Sequence, residues 1–326
     1  MKELIIGIDL GGTSVKMSLV KASGKIIKKW SIVTNIKNEG ASIIPDIIQS
    51  IRDQLRGMSL TNSDLIGIGM GSPGAIDRNQ KTVSGAYNLN WVEKQEIGKA
   101  FNDAFAVPFY IENDANLAAL GEKWQGSGND LANVVFITLG TGVGGGIIIN
   151  NHLITGSHGC AGEIGHLYVT DNPIYQCTCG NTGCLEAVAS ANGMLLLTQE
   201  LSKNHIQESA IKQAVLEGKI LSVKEIFDAA KEKDSFAMSA VTTFASYIGK
   251  ACSHITNILD PDKIIIGGGI ASAGTELLEA IFDSYDQHVF PKARDKDILT
   301  LAKLAKLGND AGILGAAYLV LSSQKG

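Results

Sequence analysis

The chain has 326 residues, of which 45% are hydrophobic and 19% are charged, and its formal net charge is −5. The mild negative charge gives no basic footprint for nucleic acid, and no apolar run approaches the roughly 20 residues that a membrane-spanning helix needs. The opening stretch MKELIIGIDL is too short in apolar residues for a signal peptide. We therefore expect a cytoplasmic protein of one or two domains, with no nucleic-acid or membrane partner.

Strands and helices alternate along the chain, which indicates an α/β fold. In the first part of the chain the pattern predicts strands in LIIGIDL, VKMSLV and GKIIKKWSIVT, a helix in ASIIPDIIQSIRDQL, strands in LIGIGMG and PFYIEND, and a helix in ANLAALGEKWQG. It then predicts a strand pair in NVVFITLGTGVGGGIIIN and a long helix in SFAMSAVTTFASYIGKACSHITNILD. The chain closes with a strand and helix start in KIIIGGGIASAG and a last helix in LGNDAGILGAAYLVL.

Two of these stretches repeat one design. IIGIDLGGTSVK and VFITLGTGVGGG each have an apolar strand, a polar residue, a leucine, a glycine turn and a second strand. Asp9 aligns with Thr138, and Gly11 aligns with Gly140. The repeat predicts two related lobes that face each other, although glycine turns can resemble one another by chance.

The glycine turns match neither of the two common nucleotide motifs. No Gly-Lys pair is followed by Ser or Thr, which excludes a P-loop, and GTGVGGG leads into a strand rather than the helix of a dinucleotide fingerprint. A glycine hairpin can still bind phosphate through exposed backbone N–H groups. Asp9 is then a candidate Mg²⁺ ligand, and Thr13 and Lys16 are candidate phosphate contacts. The alternative is an ordinary hairpin with a solvated lysine, and the further glycine turns at 140–145 and 267–269 favour the phosphate hypothesis.

Three of the five cysteines, Cys177, Cys179 and Cys184, lie within eight residues, and His166 precedes them by eleven. In a reducing compartment, clustered thiols indicate a metal site more than a disulfide, and a Cys3His set is typical of structural zinc. A redox or free-thiol cluster is the alternative. His158 is a weaker candidate ligand.

The stretch IENDAN places Glu112, Asn113 and Asp114 between a predicted strand and a predicted helix. Asn and Asp at this position are typical helix N-caps. The local sequence does not decide between this structural role and a functional one.

Taken together, DLGGT, LGTGVGGG and GGG, in this order, resemble the superfamily of sugar kinases, Hsp70 and actin. ITGSHGCAGEIGH followed by CTCGNTGCLE resembles the ROK family within it, and GAYNLNW makes the pattern most similar to glucose kinases of Gram-positive bacteria. The resemblance implies an α/β fold of two lobes, an actin-like ATPase or ribonuclease H-like fold with duplicated strand-turn-strand phosphate loops. It implies a small lobe of residues 1–115 and 310–326 and a larger lobe of residues 116–309 that carries the zinc knuckle.

The resemblance also implies the activity, which is ATP-dependent phosphorylation of D-glucose at its 6-hydroxyl to give glucose 6-phosphate. Its cofactors are Mg²⁺ with ATP and a structural Zn²⁺, and homodimers are common in the family. The implied catalytic base is Asp114, and the implied sugar contacts are Gly74, Asn88, Asn113, Asp114, Glu163, His166 and Glu186. The implied ATP and Mg²⁺ contacts are Asp9, Gly11, Gly12, Thr13, Lys16, Thr138, Gly140, Thr141, Gly142, Gly267, Gly268 and Gly269. The implied zinc ligands are His166, Cys177, Cys179 and Cys184.

Three alternatives stay open at this point. A kinase for N-acetylglucosamine, N-acetylmannosamine, fructose or a glucoside uses the same base and knuckle, and sequence says little about room beside the sugar's C2. A sugar-responsive ROK repressor is disfavoured, because it needs a helix-turn-helix ahead of the first hairpin and only a few residues precede GIDLGG. A zinc dehydrogenase is disfavoured by the missing fingerprint helix.

Overall fold

The computed structural model describes residues 3–219, 221–295 and 301–324. By its contacts the chain divides into two compact units. The first holds Met1–Asp130, His152–Ala161 and Leu307–Gly326, and the second holds Leu131–Asn151 and Gly162–Lys306. Within the described ranges, no helix is both long and apolar enough to span a bilayer.

The strands alternate with helices as the sequence predicts. The strands are β1 (Leu4–Leu10), β2 (Ser14–Lys21), β3 (Ile26–Val33), β4 (Leu65–Gly71), β5 (Ala75–Asp77), β6 (Thr82–Ser84), β7 (Phe109–Glu112), β8 (Val134–Leu139), β9 (Val143–Ile149), β10 (His152–Leu153), β11 (Lys263–Gly267) and β12 (Ala302–Leu304). The described helices are α1 (Ile43–Gly57), α2 (Ile97–Phe105), α3 (Asp114–Gln125), α4 (Leu185–Ala189), α5 (Ala191–Ser202), α6 (Ala210–Leu216), α7 (Val223–Lys231), α8 (Ser235–Leu259), α9 (Thr275–His288) and α10 (Ala311–Ser323).

The first unit is built on a sheet with the strand order β3-β2-β1-β4-β7. β1, β4 and β7 run parallel, while β2 and β3 extend the sheet antiparallel. β1 and β4 are apolar along nearly their whole length, as strands covered on both faces are. Polar residues follow where these strands end, so the functional candidates of this unit lie at the carboxyl edge of its sheet.

The last helix, α10, packs on both β1 and α3. The contact is too close for side chains at several points. A Cβ on Gly7 or Gly69 would lie 2.1 or 1.9 Å from a carbonyl oxygen of α10, and a Cβ on Gly315 would lie 1.7 Å from the carbonyl oxygen of Leu117 in α3. Glycine is therefore required for this packing, which fixes α3 against the sheet.

The second unit repeats the arrangement of the first. Its strands β9-β8-β11-β12 follow the same order and directions as β2-β1-β4-β7, with an antiparallel hairpin joined to parallel strands. Asp9 and Thr138 each stand one residue before the end of the equivalent strand. The predicted fold class, with its duplicated strand-turn-strand loops, is confirmed. The core of this unit lies between the sheet and the long, buried face of α8.

The unit boundaries differ from the predicted lobes. A boundary after residue 115 would cut α3, whose length packs against α10 through Gly121 and Gly315. The contacts keep α3 whole, so the first unit continues to Asp130 and resumes at Leu307. It also includes the segment His152–Ala161.

We expect Gly315→Ala to destabilise the protein by about 1–3 kcal/mol, because the added methyl group must displace backbone of α3. Gly57→Ala, at the end of α1, is the matched control, since a Cβ there meets nothing within 4 Å. We expect that control to be neutral or to stabilise by about 0.4–1 kcal/mol. Thermal melts of the two variants beside wild type measure both effects, and equal melting temperatures would contradict the close-packing argument.

Candidate functional site

The first glycine turn joins β1 to β2, and hydrogen bonds within the turn and from Thr34 fix its conformation. Gly11 N–H donates to the Ser14 carbonyl at 3.1 Å, and the Thr34 hydroxyl donates to the Gly11 carbonyl at 2.6 Å. Asn88 lies beside the turn, since a Cβ on Gly12 would be 3.4 Å from its amide nitrogen. Thr13 is exposed at the tip. Thr34 was not predicted as part of the site, because its role depends on β3 ending beside the turn.

Asp9 stands across the hairpin from Lys16. Burial raises the pKa of the Asp9 carboxyl above its usual value, the charge of Lys16 opposes this shift, and the charge of Asp114 adds to it. The electrostatic influence of Asp114 on Asp9 means that the two predicted functional carboxylates share one region of the first unit. Lys16 also donates to the Asn309 side chain at 3.2 Å, just ahead of α10.

Asn113 and Asp114 form the start of α3. The Asn113 side-chain oxygen caps the helix by accepting the Asn116 N–H at 2.7 Å, so the N-cap interpretation holds for Asn113. Its amide nitrogen remains as a donor. Asp114 is exposed, and one of its carboxylate oxygens accepts the Ala115 N–H at 2.8 Å. The helix N-terminus favours a negative charge at this position.

The second glycine turn joins β8 to β9 and is fastened by the acid of the CLE motif. Gly140 N–H donates to the Gly142 carbonyl at 3.0 Å, and Val143 N–H donates to a carboxylate oxygen of Glu186 at 3.0 Å. The other Glu186 oxygen accepts the Thr178 hydroxyl at 3.2 Å. Glu186 therefore ties the cysteine loop to this turn.

A cavity of about 650 Å³ lies in the second unit beside this turn. Its walls combine the second glycine turn, helix α7 and the turn that follows β11. The lining residues are Gly140, Thr141, Ala191, Leu195, Leu221, Ser222, Val223, Lys224, Phe227, Asp228, Lys231, Gly269, Ile270, Ser272 and Ala273. The volume is that of a small-molecule site, with apolar walls and lysines among the polar groups.

Gly268 explains how the third glycine stretch approaches the second turn. It has a φ of +86°, and a Cβ there would lie 2.2 Å from the Leu139 carbonyl at the end of β8. Only glycine fits both the conformation and the contact. Gly269 then opens the short 3₁₀ helix Gly269–Ala273, and a Cβ on it would meet nothing within 4 Å.

His166, Cys177, Cys179 and Cys184 converge, with their ligand atoms all within 4.8 Å of one another. The Cys179 and Cys184 sulfurs are 3.8 Å apart, and the Cys177 sulfur is 3.6 Å from His166 Nδ1. A tetrahedron with Zn–S bonds of about 2.3 Å has edges of about 3.8 Å, so these separations fit one ion. Burial raises the pKa of the Cys184 thiol to about 12.

The remaining predicted contacts lie around this cluster or near the first turn. His166 Nδ1 faces the cysteines, whereas Nε2 faces Glu163 with 3.9 Å to a carboxylate oxygen. Gly165 packs on the second turn, since a Cβ there would be 2.1 Å from the Val143 carbonyl. In the first unit, Gly74 packs against the chain at Ser84, at the base of the β5–β6 hairpin.

Comparisons with known proteins identify the family of this chain. The model of the ROK family matches residues 5–323. The chain belongs to the ROK family. It is 40% identical to a glucokinase of Halalkalibacterium halodurans, over 97% of this chain and 94% of that protein. It is 30% identical to a putative xylose repressor of a Caldicellulosiruptor species, over 98% of this chain and 78% of that protein. The crystal structure of a ROK family glucokinase from Streptomyces griseus, in complex with glucose and AMPPNP, matches with a TM-score of 0.74 and 30% identity, covering 98% of this chain and 99% of that one.

Several residues around the candidate site were not predicted. α7 supplies a wall of the cavity through Val223 and Phe227, and no motif marks them. Arg78, which is partly exposed, forms an ion pair with the buried Glu112, the residue directly before Asn113. Such residues carry no sequence signal, because their partners are distant along the chain.

Because the pKa of Asp9 is raised, the folded protein binds a proton there more tightly than the unfolded chain does. Stability is therefore lost as the pH rises from the ordinary value of 3.8 through the raised pKa. We expect Asp9→Asn to raise the melting temperature at pH 7 by roughly 1–3 °C, with a difference that shrinks as the pH falls toward 3.8. Melts across this pH range measure it, with Asp283→Asn on the exposed face of α9 as the control. A lower melting temperature for Asp9→Asn at pH 7 would contradict the burial argument.

Proposed function

We propose that this ROK protein is a glucokinase that transfers the γ-phosphoryl group of ATP to the 6-hydroxyl of D-glucose. The observation that carries the proposal is the electrostatic proximity of Asp9 and Asp114. Asp9 lies near the carboxyl end of β1, and Asp114 follows the carboxyl end of β7, in the same set of parallel strands. A phosphoryl-transfer site needs one acid for the metal and another for the attacking hydroxyl. The family membership and the glucokinase relatives support the same assignment.

Asp114 is the proposed general base. The attacking oxygen gives its proton to the carboxylate as its bond to phosphorus forms and the bond from phosphorus to the leaving oxygen breaks. One Asp114 oxygen already accepts the Ala115 N–H, so the other is left for the sugar hydroxyl. The loose transition state makes weak proton acceptance sufficient, because positioning and charge stabilisation dominate phosphoryl transfer.

The nucleotide is proposed to use the glycine turns and the cavity of the second unit. The apolar walls at Leu195 and Phe227 suit a nucleobase, while Thr141, in the glycine turn that lines the cavity, suits phosphate oxygens. Other proposed contacts to MgATP are Gly11, Gly12, Thr13, Lys16, Thr138, Gly142, Gly267, Gly268 and Gly269. Asp9 fits Mg²⁺, because a partly buried carboxylate beside a second acid is stabilised by a cation. When bound with ATP, Mg²⁺ neutralises charge on the phosphoryl oxygens.

The sugar is proposed to bind through polar groups whose other contacts are already fixed. Asn113 can donate through its amide N–H groups, while its oxygen already accepts one hydrogen bond in capping α3. His166 can offer Nε2 alone, because Nδ1 faces the cysteines. The other proposed sugar contacts are Gly74, Asn88, Glu163 and Glu186. A fixed hydrogen-bond role for each group is what allows discrimination among hydroxyl patterns.

The four-residue cluster is proposed to hold a structural Zn²⁺. Three thiolates and one imidazole fill a tetrahedral shell, so no position remains for substrate. The ion would fix the loop that carries Glu186, and through Glu186 the Val143 N–H of the second glycine turn. Its contribution is thus to order and stability. The homodimer and the cytoplasmic location stay predictions.

A sugar-binding repressor is the second candidate, and the similarity to a putative xylose repressor favours it. The two functions differ in turnover. A coupled assay of ADP release with glucose, N-acetylglucosamine, mannose, N-acetylmannosamine and fructose decides between them and selects the sugar. We expect glucose to give the highest kcat/KM. Sugar binding without ADP release from any of the five would favour the repressor.

We expect Asp114→Asn to lower kcat for glucose by about 10²–10⁴-fold, because the amide cannot accept the proton. Its oxygen still accepts the Ala115 N–H, so glucose affinity should stay within about threefold. Steady-state kinetics and calorimetric titration with glucose measure the two quantities. Asp103→Asn on exposed α2 is the control, with wild-type kcat expected. Unchanged turnover in Asp114→Asn would remove it as the base.

We expect Cys179→Ser to release zinc and to lower the melting temperature, because metal binding contributes folding free energy. Elemental analysis of the purified protein gives about one zinc per chain for wild type and much less for the variant. Cys160→Ser is the matched control, since Cys160 is also exposed and lies outside the cluster. A zinc-free wild-type protein with full stability would end this argument.

A further inference from the structure

We propose that Arg78 is a positioning residue for the Asn113–Asp114 turn and acts through the buried carboxylate of Glu112. The proposal rests on the proposed function, because it assigns Asp114 as the group being positioned. Arg78 lies outside the motifs that the sequence analysis singled out, and Glu112, within IENDAN, was given no role of its own. Both lie in the first unit.

The ion pair has the geometry of a rigid clamp. Arg78 Nε donates to Glu112 Oε2 and Arg78 Nη2 donates to Glu112 Oε1, both at 2.5 Å. The Glu112 side chain is 2% exposed and that of Arg78 is 27% exposed. The planar guanidinium matches a carboxylate with two parallel hydrogen bonds, which a lysine cannot reproduce.

Glu112 passes this constraint to the residues on either side of Asp114. Its Oε1 accepts the Asn113 backbone N–H at 2.9 Å and the Asn116 side-chain amide at 3.1 Å. Asn113 and Asn116 are also joined to each other through the α3 cap at 2.7 Å. Asp114 therefore lies in the sequence between two residues, Asn113 and Asn116, that both donate to Glu112 Oε1.

Asn116 indicates that this arrangement serves more than stability. It is buried, and its Oδ1 has no hydrogen-bond partner among the described residues. A buried acceptor without a partner is unfavourable and is uncommon in folded proteins. The Asn116 amide nevertheless donates its N–H group to Glu112 and leaves its own oxygen without a hydrogen bond. This bond fixes the first turn of α3.

Arg78 also links this turn to two other segments of the first unit. It follows β5 in the β5–β6 hairpin, which begins beside Gly74. Its Nη1, the nitrogen that Glu112 does not use, faces Gly159, where a Cβ would be 3.0 Å away. The Arg78 side chain thus bonds to Glu112, the last residue of β7, and also lies beside Gly159.

The test compares Arg78→Lys, Arg78→Met and the double variant Arg78→Met/Glu112→Gln with Arg56→Met, an exposed arginine on α1. We expect kcat to fall at least about tenfold in Arg78→Lys and about 10²-fold in Arg78→Met, because small displacements of a catalytic group have effects of this size. Glucose affinity should change less than about threefold, and Arg56→Met should match wild type. In an Asp114→Asn background, Arg78→Lys should change the residual kcat by less than about twofold, since it acts through the base.

The double variant separates positioning from mere stability. Removing Arg78 alone leaves a buried unpaired carboxylate, whereas removing both charges should recover most of the lost melting temperature. We expect kcat to stay low in the double variant. If kcat recovers together with the melting temperature, or if Arg78→Lys has the kcat of wild type, the positioning role is overturned.

A readout without activity keeps the inference distinct from the proposed function. We expect amide hydrogen exchange in peptides covering residues 113–116 to be at least about fivefold faster in Arg78→Lys than in wild type or Arg56→Met, because the bidentate clamp is lost. Unchanged exchange would overturn the inference even if glucose is the substrate. If exchange is faster in Arg78→Lys but the wild-type protein phosphorylates no sugar, the result supports the inference about Arg78 and rejects only the proposed function.

Discussion

The carboxyl ends of the parallel strands β1, β4 and β7 meet at one edge of the first sheet, and the rest of the site depends on this constraint. It brings Asp9 and Asp114 within electrostatic reach although more than a hundred residues separate them. Burial and the nearby charge of Asp114 raise the pKa of the Asp9 carboxyl, while the charge of Lys16 opposes the shift. A cation with its phosphates, as proposed for this site, would favour the charged form of Asp9.

The second unit repeats this architecture with different chemistry. Thr138 stands where the first unit has Asp9, so the equivalent position carries no charge beside the glycine turn. An anionic phosphate chain is repelled by carboxylates and attracted by lysines, so the proposed nucleotide site suits the cavity beside this turn, which Lys224 and Lys231 line. The acid that does approach this turn, Glu186, is held by the Val143 N–H and the Thr178 hydroxyl. The two units share one scaffold, and they differ in the residue at the strand end.

Local features could be predicted well, because the residues that form them are neighbours in the chain. The glycine hairpins are of this kind, and so is the cluster of Cys177, Cys179 and Cys184 with His166. Features formed by residues that are distant along the chain could not be predicted from the sequence. Thr34 beside Gly11, Phe227 in the cavity wall and Arg78 on Glu112 each need a partner that only folding brings near. The boundary after residue 115 was placed by motif, whereas the contacts of α3 with α10 put it elsewhere.

The sequence by itself determined the fold class, the two glycine hairpins, the cysteine and histidine set and the acid at the start of α3. Hydrophobic period, turn chemistry and ligand spacing are all written in runs of about ten to twenty residues. Only the tertiary structure decided which atoms of those residues remain free. Asn113 has its oxygen in a cap, His166 has one nitrogen toward the thiols, and Glu112 has both oxygens in an ion pair with Arg78. Hydrogen-bonding capacity is finite for each group, and its use by distant neighbours cannot be known until the chain has folded.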